Sequence, residues 1–105
     1  MALKKIKDDL IELYKELGKL RSATPVDDPE YEKIKKKYRN ASDLAEKAAE
    51  KAIDESDDDY MSFSTEMTNA INLIKEAKAD IKKVAKAIEV TAKVIDIAGK
   101  IVAKV

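Results

Sequence analysis

The chain has no cysteine and no histidine among its 105 residues, only two glycines and two prolines, and just four tyrosines, one phenylalanine and no tryptophan. Without cysteine there are no disulfides, which excludes a small cross-linked secreted scaffold. Without cysteine or histidine the usual transition-metal ligands are missing, and so is the commonest general acid and base. Lysine plus arginine equals aspartate plus glutamate at 21 each, so the net charge exerts no strong pull toward nucleic acid or an anionic membrane. No uncharged apolar run approaches the roughly 18 residues a membrane span needs. The first residues, Met1-Ala2-Leu3-Lys4-Lys5, run into Asp8 and Asp9 with no apolar segment behind them, unlike a signal peptide. A cytoplasmic location is expected from these absences.

What remains is a mixture of charged residues (40%) with alanine, isoleucine, leucine and valine. That is the composition of long helices and coiled coils, at a length that supports one domain with a modest core. The scarcity of aromatics makes the core thin and dependent on close helix packing.

Apolar positions recur three and four apart in three segments. In the first, about residues 2–21, Leu3, Ile6, Leu10, Leu13, Leu17 and Leu20 form a heptad stripe flanked by Ile11 and Tyr14. Gly18 interrupts it at a cost of roughly 1 kcal/mol relative to alanine. Pro25 and Pro29 then stop the helix, and Asp28 followed by proline reads as an N-cap. The second segment, about residues 29–55, has the stripe Tyr31, Ile34, Tyr38, Ala41, Ala45, Ala48 and Ala52. Its small residues admit a close or bulky neighbour, for which Met67, Ile71 and Ile74 are the natural counterparts. An acidic joint follows, with Asp54, Glu55, Asp57, Asp58 and Asp59. Ser62 and Ser64 are the candidate caps for the next helix. The third segment, about residues 62–104, carries the longest repeat: Met67, Ala70, Ile74, Ala77, Ile81, Val84, Ile88, Thr91, Ile95, Ala98, Val102 and Val105, in which Thr91 alone is polar.

The expected fold is all-α: an antiparallel three-helix bundle with coiled-coil-like heptad packing and a long C-terminal helix. At 1.5 Å per residue the helices would span about 30, 37 and 60 Å, so the third extends past the end of the second by roughly 25 Å. Helix 1 could partly cover that overhang within a monomer by sliding along the eight-residue joint, residues 22–29. That overhang is apolar over more than half its circumference, through Val84, Ala85, Ala87, Val90, Ala92, Val94, Ile97 and Ile101. A face of this width needs at least two neighbours. The expectation is therefore a non-enzymatic helical interaction protein. It would bind a second copy of itself or a helical protein partner through Ile88, Val94, Ile95, Ile101, Val102 and Val105.

Other chemistries have weaker support. Lys83, Lys86, Lys93, Lys100 and Lys104 opposite an apolar face resemble an interfacial membrane helix, but Asp80, Glu89 and Asp96 dilute the basic side. The run Lys33, Lys35, Lys36, Lys37 and Arg39 interleaves with Tyr31 and Tyr38, a pattern that can contact phosphates and bases. Those tyrosines lie on the core stripe, however, and nucleic acid is not the expected partner. Asp54, Ser56 and Asp58 match the start of a calcium loop, yet Asp59 stands where glycine is needed and Thr65 where a bidentate glutamate is needed. There is no activated nucleophile, phosphate loop or helical Glu/His motif. No catalytic residue, metal or cofactor is assigned.

Overall fold

The computed structural model describes residues 3–105. Ala2, near which helix 1 is expected to begin, lies outside the described residues. Helices dominate, with one short antiparallel sheet. The order is β1 (Leu3–Lys5), α1 (Ile6–Ala23), α2 (Tyr31–Ala48), β2 (Ala52–Asp54), α3 (Asp58–Ala79), a 3-10 turn (Ile81–Lys83) and α4 (Val84–Lys104). The expected three helices are therefore four, because the long third segment breaks at Asp80 and folds back.

Two helical hairpins, α1–α2 and α3–α4, lie side by side. α1 packs along α3, and α2 packs along α4. The longest dimension is 45 Å, too short for an unbroken C-terminal helix of about 60 Å with nothing folded back. At the break Asp80 is extended, with φ −140° and ψ 104°. Its carboxylate accepts the Lys82 N–H at 3.1 Å, and its carbonyl accepts the Lys83 N–H at 3.0 Å. This is an N-cap for the segment leading into α4.

The α1 stripe is the centre of the core. Ile6, Leu10, Leu13, Leu17 and Leu20 have no exposed surface. Glu16 lies among them, almost wholly buried, and is held by Lys78 of α3 at 3.4 Å and Lys19 at 3.6 Å. Gly18 leaves room for an aromatic: a Cβ there would stand 3.2 Å from the Tyr38 ring. That ring meets Tyr14 edge-on at 5.6 Å and lies under the Arg21 guanidinium at 5.1 Å. The local helix cost of Gly18 is thus offset by the close approach of α2.

Helix ends differ from the expected ones where backbone geometry intervenes. α2 starts at Tyr31, because Pro29 and Glu30 remain in a turn in which Asp28 accepts the Glu30 N–H at 2.8 Å. It stops at Ala48 rather than near residue 55. Ala49 adopts φ 46° and ψ −117°, a conformation that stores strain in any residue with a Cβ. The chain then runs extended through Ala52–Asp54, pairing Lys4 with Ile53, and Ile53 is buried. No regular alternation advertises a three-residue strand.

The cap of α3 is neither Ser62 nor Ser64. Asp57 accepts the Asp59 N–H at 2.9 Å, and the helix begins four residues earlier than expected. The acidic joint is thereby absorbed into local structure, since Asp54 also accepts from the Ser56 N–H and hydroxyl. The end of α4 closes on it. Lys104 pairs with Asp57 at 2.8 Å and Asp59 at 3.1 Å. Lys51 donates to the Val102 carbonyl at 2.9 Å, supplying one of the partners that a helix C-terminus lacks. The Tyr60 hydroxyl donates to Asp9 at 3.1 Å.

Two outcomes follow. Thr91 is fully buried and its hydroxyl has no hydrogen-bond partner. Thr91→Val removes an unsatisfied group while keeping the shape, and should raise the unfolding free energy by about 1 kcal/mol in denaturant titration. Tyr60 is pushed up to about 12 from an ordinary value of 10.0, by burial first and then by the neighbouring Asp9 charge. Lys5 and Lys104 are raised above their ordinary 10.5, chiefly by hydrogen bonds to Glu50 and to Asp57 respectively. A raised folded value means the protonated form favours the fold. The associated stability is present below the ordinary value and is lost as pH rises through the folded one. The thermal midpoint should therefore fall between pH 10 and 12, and Tyr60→Phe should make that fall shallower.

Candidate protein-interaction surface

The fold-back determines where the expected interface residues lie. Val94 and Ile101 are fully buried, and Ile88 and Val102 are nearly so. Ile95 is partly buried against the same core, and of the six only Val105 is exposed, at 40%. Val90, which a straight helix would carry nearly outward, is buried as well. The wide apolar face of residues 84–105 therefore does not project from the protein. It fills the space between α3 and α2, because reversal at Asp80 supplies both neighbours within one chain. The lysine side of α4 faces out, but the apolar half that a lipid surface would need faces in.

The basic run on α2 is likewise divided by packing. Tyr38 is committed to Tyr14, Gly18 and Arg21, so it is not free to stack on a base. Among the described residues, no group of three or more histidine, cysteine, aspartate or glutamate side chains has the proximity to hold a metal ion. Among the described residues no helix is long and apolar enough to cross a membrane.

A groove runs along the outer side of the α3–α4 hairpin. At one end it has a volume of about 550 Å³ and is lined by Met61, Ser62, Thr65, Glu66, Lys93, Asp96 and Ile97. It continues along the same two helices past Asn69, Asn72, Leu73, Glu76, Lys86 and Val90. From Met61 to Glu76 the α3 wall is about 23 Å long. Met61, 55% exposed, is the largest apolar side chain in it, and Ile97 and Leu73 show partial apolar surface.

Two properties set this groove apart. Between Met61 and Asn72, Glu66 is the only charged residue, and the exposed positions are serine, threonine and asparagine, in a chain that is 40% charged. Depletion of charge is a property of interface centres. The charges that do border the groove are sorted by helix. The α3 rim supplies Glu66 and Glu76, and the α4 rim supplies Lys86 and Lys93 with one acid, Asp96, near its open end. Glu66 and Lys93 share the groove at one level, yet among the described residues neither has an ion-pair partner within 4 Å, whereas Glu76 and Lys86 reach Lys83 and Glu89 at 3.9 and 3.8 Å.

These residues escape periodicity because the seven-residue repeat records what faces the core. The legible signal was compositional: the serine, threonine and asparagine-rich run of residues 62–72, which a solvated helix in so charged a chain does not require.

No family model, no curated protein and no solved structure matches this chain.

Proposed function

We propose that this protein is a non-enzymatic helical interaction protein that associates with a second copy of itself, and that the outer α3–α4 groove is the contact. The placement of Glu66 and Glu76 on one rim opposite Lys93 and Lys86 on the other carries the proposal, with Asp96 the one acid on the basic side. A two-fold axis running along the groove sets the α3 rim of one copy against the α4 rim of the other. Glu66 then faces the second copy's Lys93, and Glu76 faces its Lys86, while the uncharged wall and Met61 and Ile97 lie between them. A two-fold across the groove would instead oppose acid with acid and base with base. The surface is thus complementary to itself in one orientation and repulsive in the other, which gives an isologous contact both specificity and closure.

The expectation of self-association is kept here, while its seat moves from the buried face of α4 to the outer side of the hairpin. Helix-on-helix packing at three- and four-residue spacing remains the physical mode.

Light scattering against concentration tests the proposal. The wild-type chain should dimerise. Glu66→Lys and Lys93→Glu should each weaken the dimer by about tenfold, because each places two like-charge pairs in the contact. The double exchange should restore it, with helical content unchanged throughout. A chain that stays monomeric at millimolar concentration, or a dimer indifferent to both single changes, would refute the groove as the contact.

A further inference from the structure

We infer that α4 is an exchangeable element: two copies can trade their C-terminal helices, with α3 and α4 of each chain merging into one helix through residues 80–83. The inference shares with the groove proposal the premise that the chain self-associates, but it uses a different surface.

The first observation is a disagreement between sequence and structure. The apolar repeat runs without a phase break through Ala77, Ile81, Val84 and Ile88, although the helix does not. In a chain that ended α3 for good at Ala79, nothing would require α4 to keep the register of α3. A continuous register suits a continuous helix. The second observation is the make-up of the turn. The α1–α2 joint contains Pro25 and Pro29, and the joint before α3 contains a strand and four acids, Glu50, Asp54, Glu55 and Asp57. The α3–α4 turn contains Ala79, Asp80, Ile81, Lys82 and Lys83, and no glycine or proline lies anywhere between Met67 and Ala98. Every residue of the turn is tolerated inside a helix. The hydrogen bonds of the turn centre on one residue, Asp80, and the only ion pair across it among the described residues is the long, exposed Glu76–Lys83 contact at 3.9 Å.

The third observation is Ile81. It is the one seam position of the repeat between Met67 and Ala98 that the structure leaves well exposed, at 46%. In the exchanged dimer the two long helices run antiparallel and cross at the hinge, which brings Ile81 against the partner's Ile81 and covers it.

What α4 leaves, it regains. Its seat is defined by Val84, Ile88, Val94, Ile101 and Val102 packing into the core, and the second copy presents an identical seat. Exchange therefore preserves the buried surface and trades only the turn: the Asp80 cap for continuous helix and a covered isoleucine. This near-balance is the condition under which identical elements swap between protomers. The residues singled out by the sequence as an intermolecular contact, Ile88, Val94, Ile95, Ile101, Val102 and Val105, would then be one in fact.

Geometry permits a variant specific to the turn. Asp80 is already extended, as a residue before proline must be, and position 81 is the first of the following helical turn, where proline is favoured. Ile81→Pro is thus compatible with the hairpin and incompatible with a continuous helix. The absence of cysteine allows clean labelling at Ser62→Cys and Asp96→Cys, two positions that line the same groove in the hairpin. In a merged helix they would stand about 51 Å apart along one chain.

The experiment is refolding from denaturant at millimolar concentration, followed by isolation of the dimer and spin-label distance measurement with labelled chains diluted in unlabelled ones. The expected result is a dimer with an intrachain distance near that length. It should be absent in Ile81→Pro, increased about tenfold in Asp80→Ala through loss of the cap, and retained in Glu66→Lys. Refolding to monomer alone, a dimer whose intrachain distance stays short, or a dimer that survives Ile81→Pro would each overturn the inference. A short-distance dimer lost in Glu66→Lys would at the same time support the groove.

Discussion

The burial of α4 governs the rest of the structure. Residues 84–102 present apolar side chains over more than half of the helix circumference, and Val84, Val94 and Ile101 are fully enclosed. Full burial of such a side chain contributes about 1.5–3 kcal/mol relative to exposure. Exposing the whole face would therefore cost on the order of 10 kcal/mol, comparable with the total stability of a small domain. A helix under that constraint needs neighbours on two sides. α3 supplies one by hairpin reversal, and α2 supplies the other by opening its alanine-rich side, where Ala41, Ala45 and Ala48 are buried. The leucines of α1 then close the bundle behind α2 and α3.

Much of this was legible in the chain. The α1 stripe from Ile6 to Leu20, the buried Ala41, Ala45 and Ala48 of α2 and the proline-bounded joint stand where the spacing puts them. Their causes are local, and each is written within a few residues. Leu3, by contrast, lies exposed in β1, and α2 packs along α1 and α4 rather than against Met67, Ile71 and Ile74 of α3. The break at Asp80 was not legible, because periodicity reports which face is buried and is silent about whether the helix is straight. A single aspartate capping the Lys82 N–H looks, in sequence, like any surface acid. The same blindness left the apolar face of residues 84–105 uncovered, where the structure buries most of it within one chain. Width of the apolar face was read as a shortage of neighbours, when the reversal supplies them within the chain. The strand pairing of Lys4 with Ile53 escaped for another reason. Three residues cannot display alternation, and the pairing depends on the turn at Ala49, whose positive φ no glycine announces.

The polar end of the bundle balances opposing demands. Asp9 is raised by desolvation beneath Tyr60, so its burial works against the fold at neutral pH. Asp57 is lowered by its hydrogen bond from Lys104, and Asp54 by its bonds from Ser56, so each contributes stability above its ordinary value that is lost as pH falls through the folded one. Asp57 caps α3 and at the same time anchors Lys104 at the last turn of α4. The acidic joint thus acts as a fastening between the start of one helix of the hairpin and the end of the other. The opposite end of that hairpin has the Asp80 cap and one long, exposed ion pair, Lys83–Glu76 at 3.9 Å. The asymmetry locates the weak point of the fold: α4 is tied at its C-terminus by two closer ion pairs to Asp57 and Asp59.

The groove and the hinge then bear on each other in a definite way. Exchange of α4 rebuilds the groove from α3 of one chain and α4 of the other, with Glu66 and Lys93 at the same level as before. The rim complementarity survives, and each exchanged dimer carries two grooves. On the two proposals together, groove pairing would join single chains into closed dimers, and between exchanged dimers it would join them further. The size of such an assembly would then be set by the state of one short turn, with the chemistry of the contact unchanged between the two. Selection for a continuous repeat across a broken helix has a physical meaning in that setting. The register that fills the core of one protomer is the register that lets the helix run straight into the next.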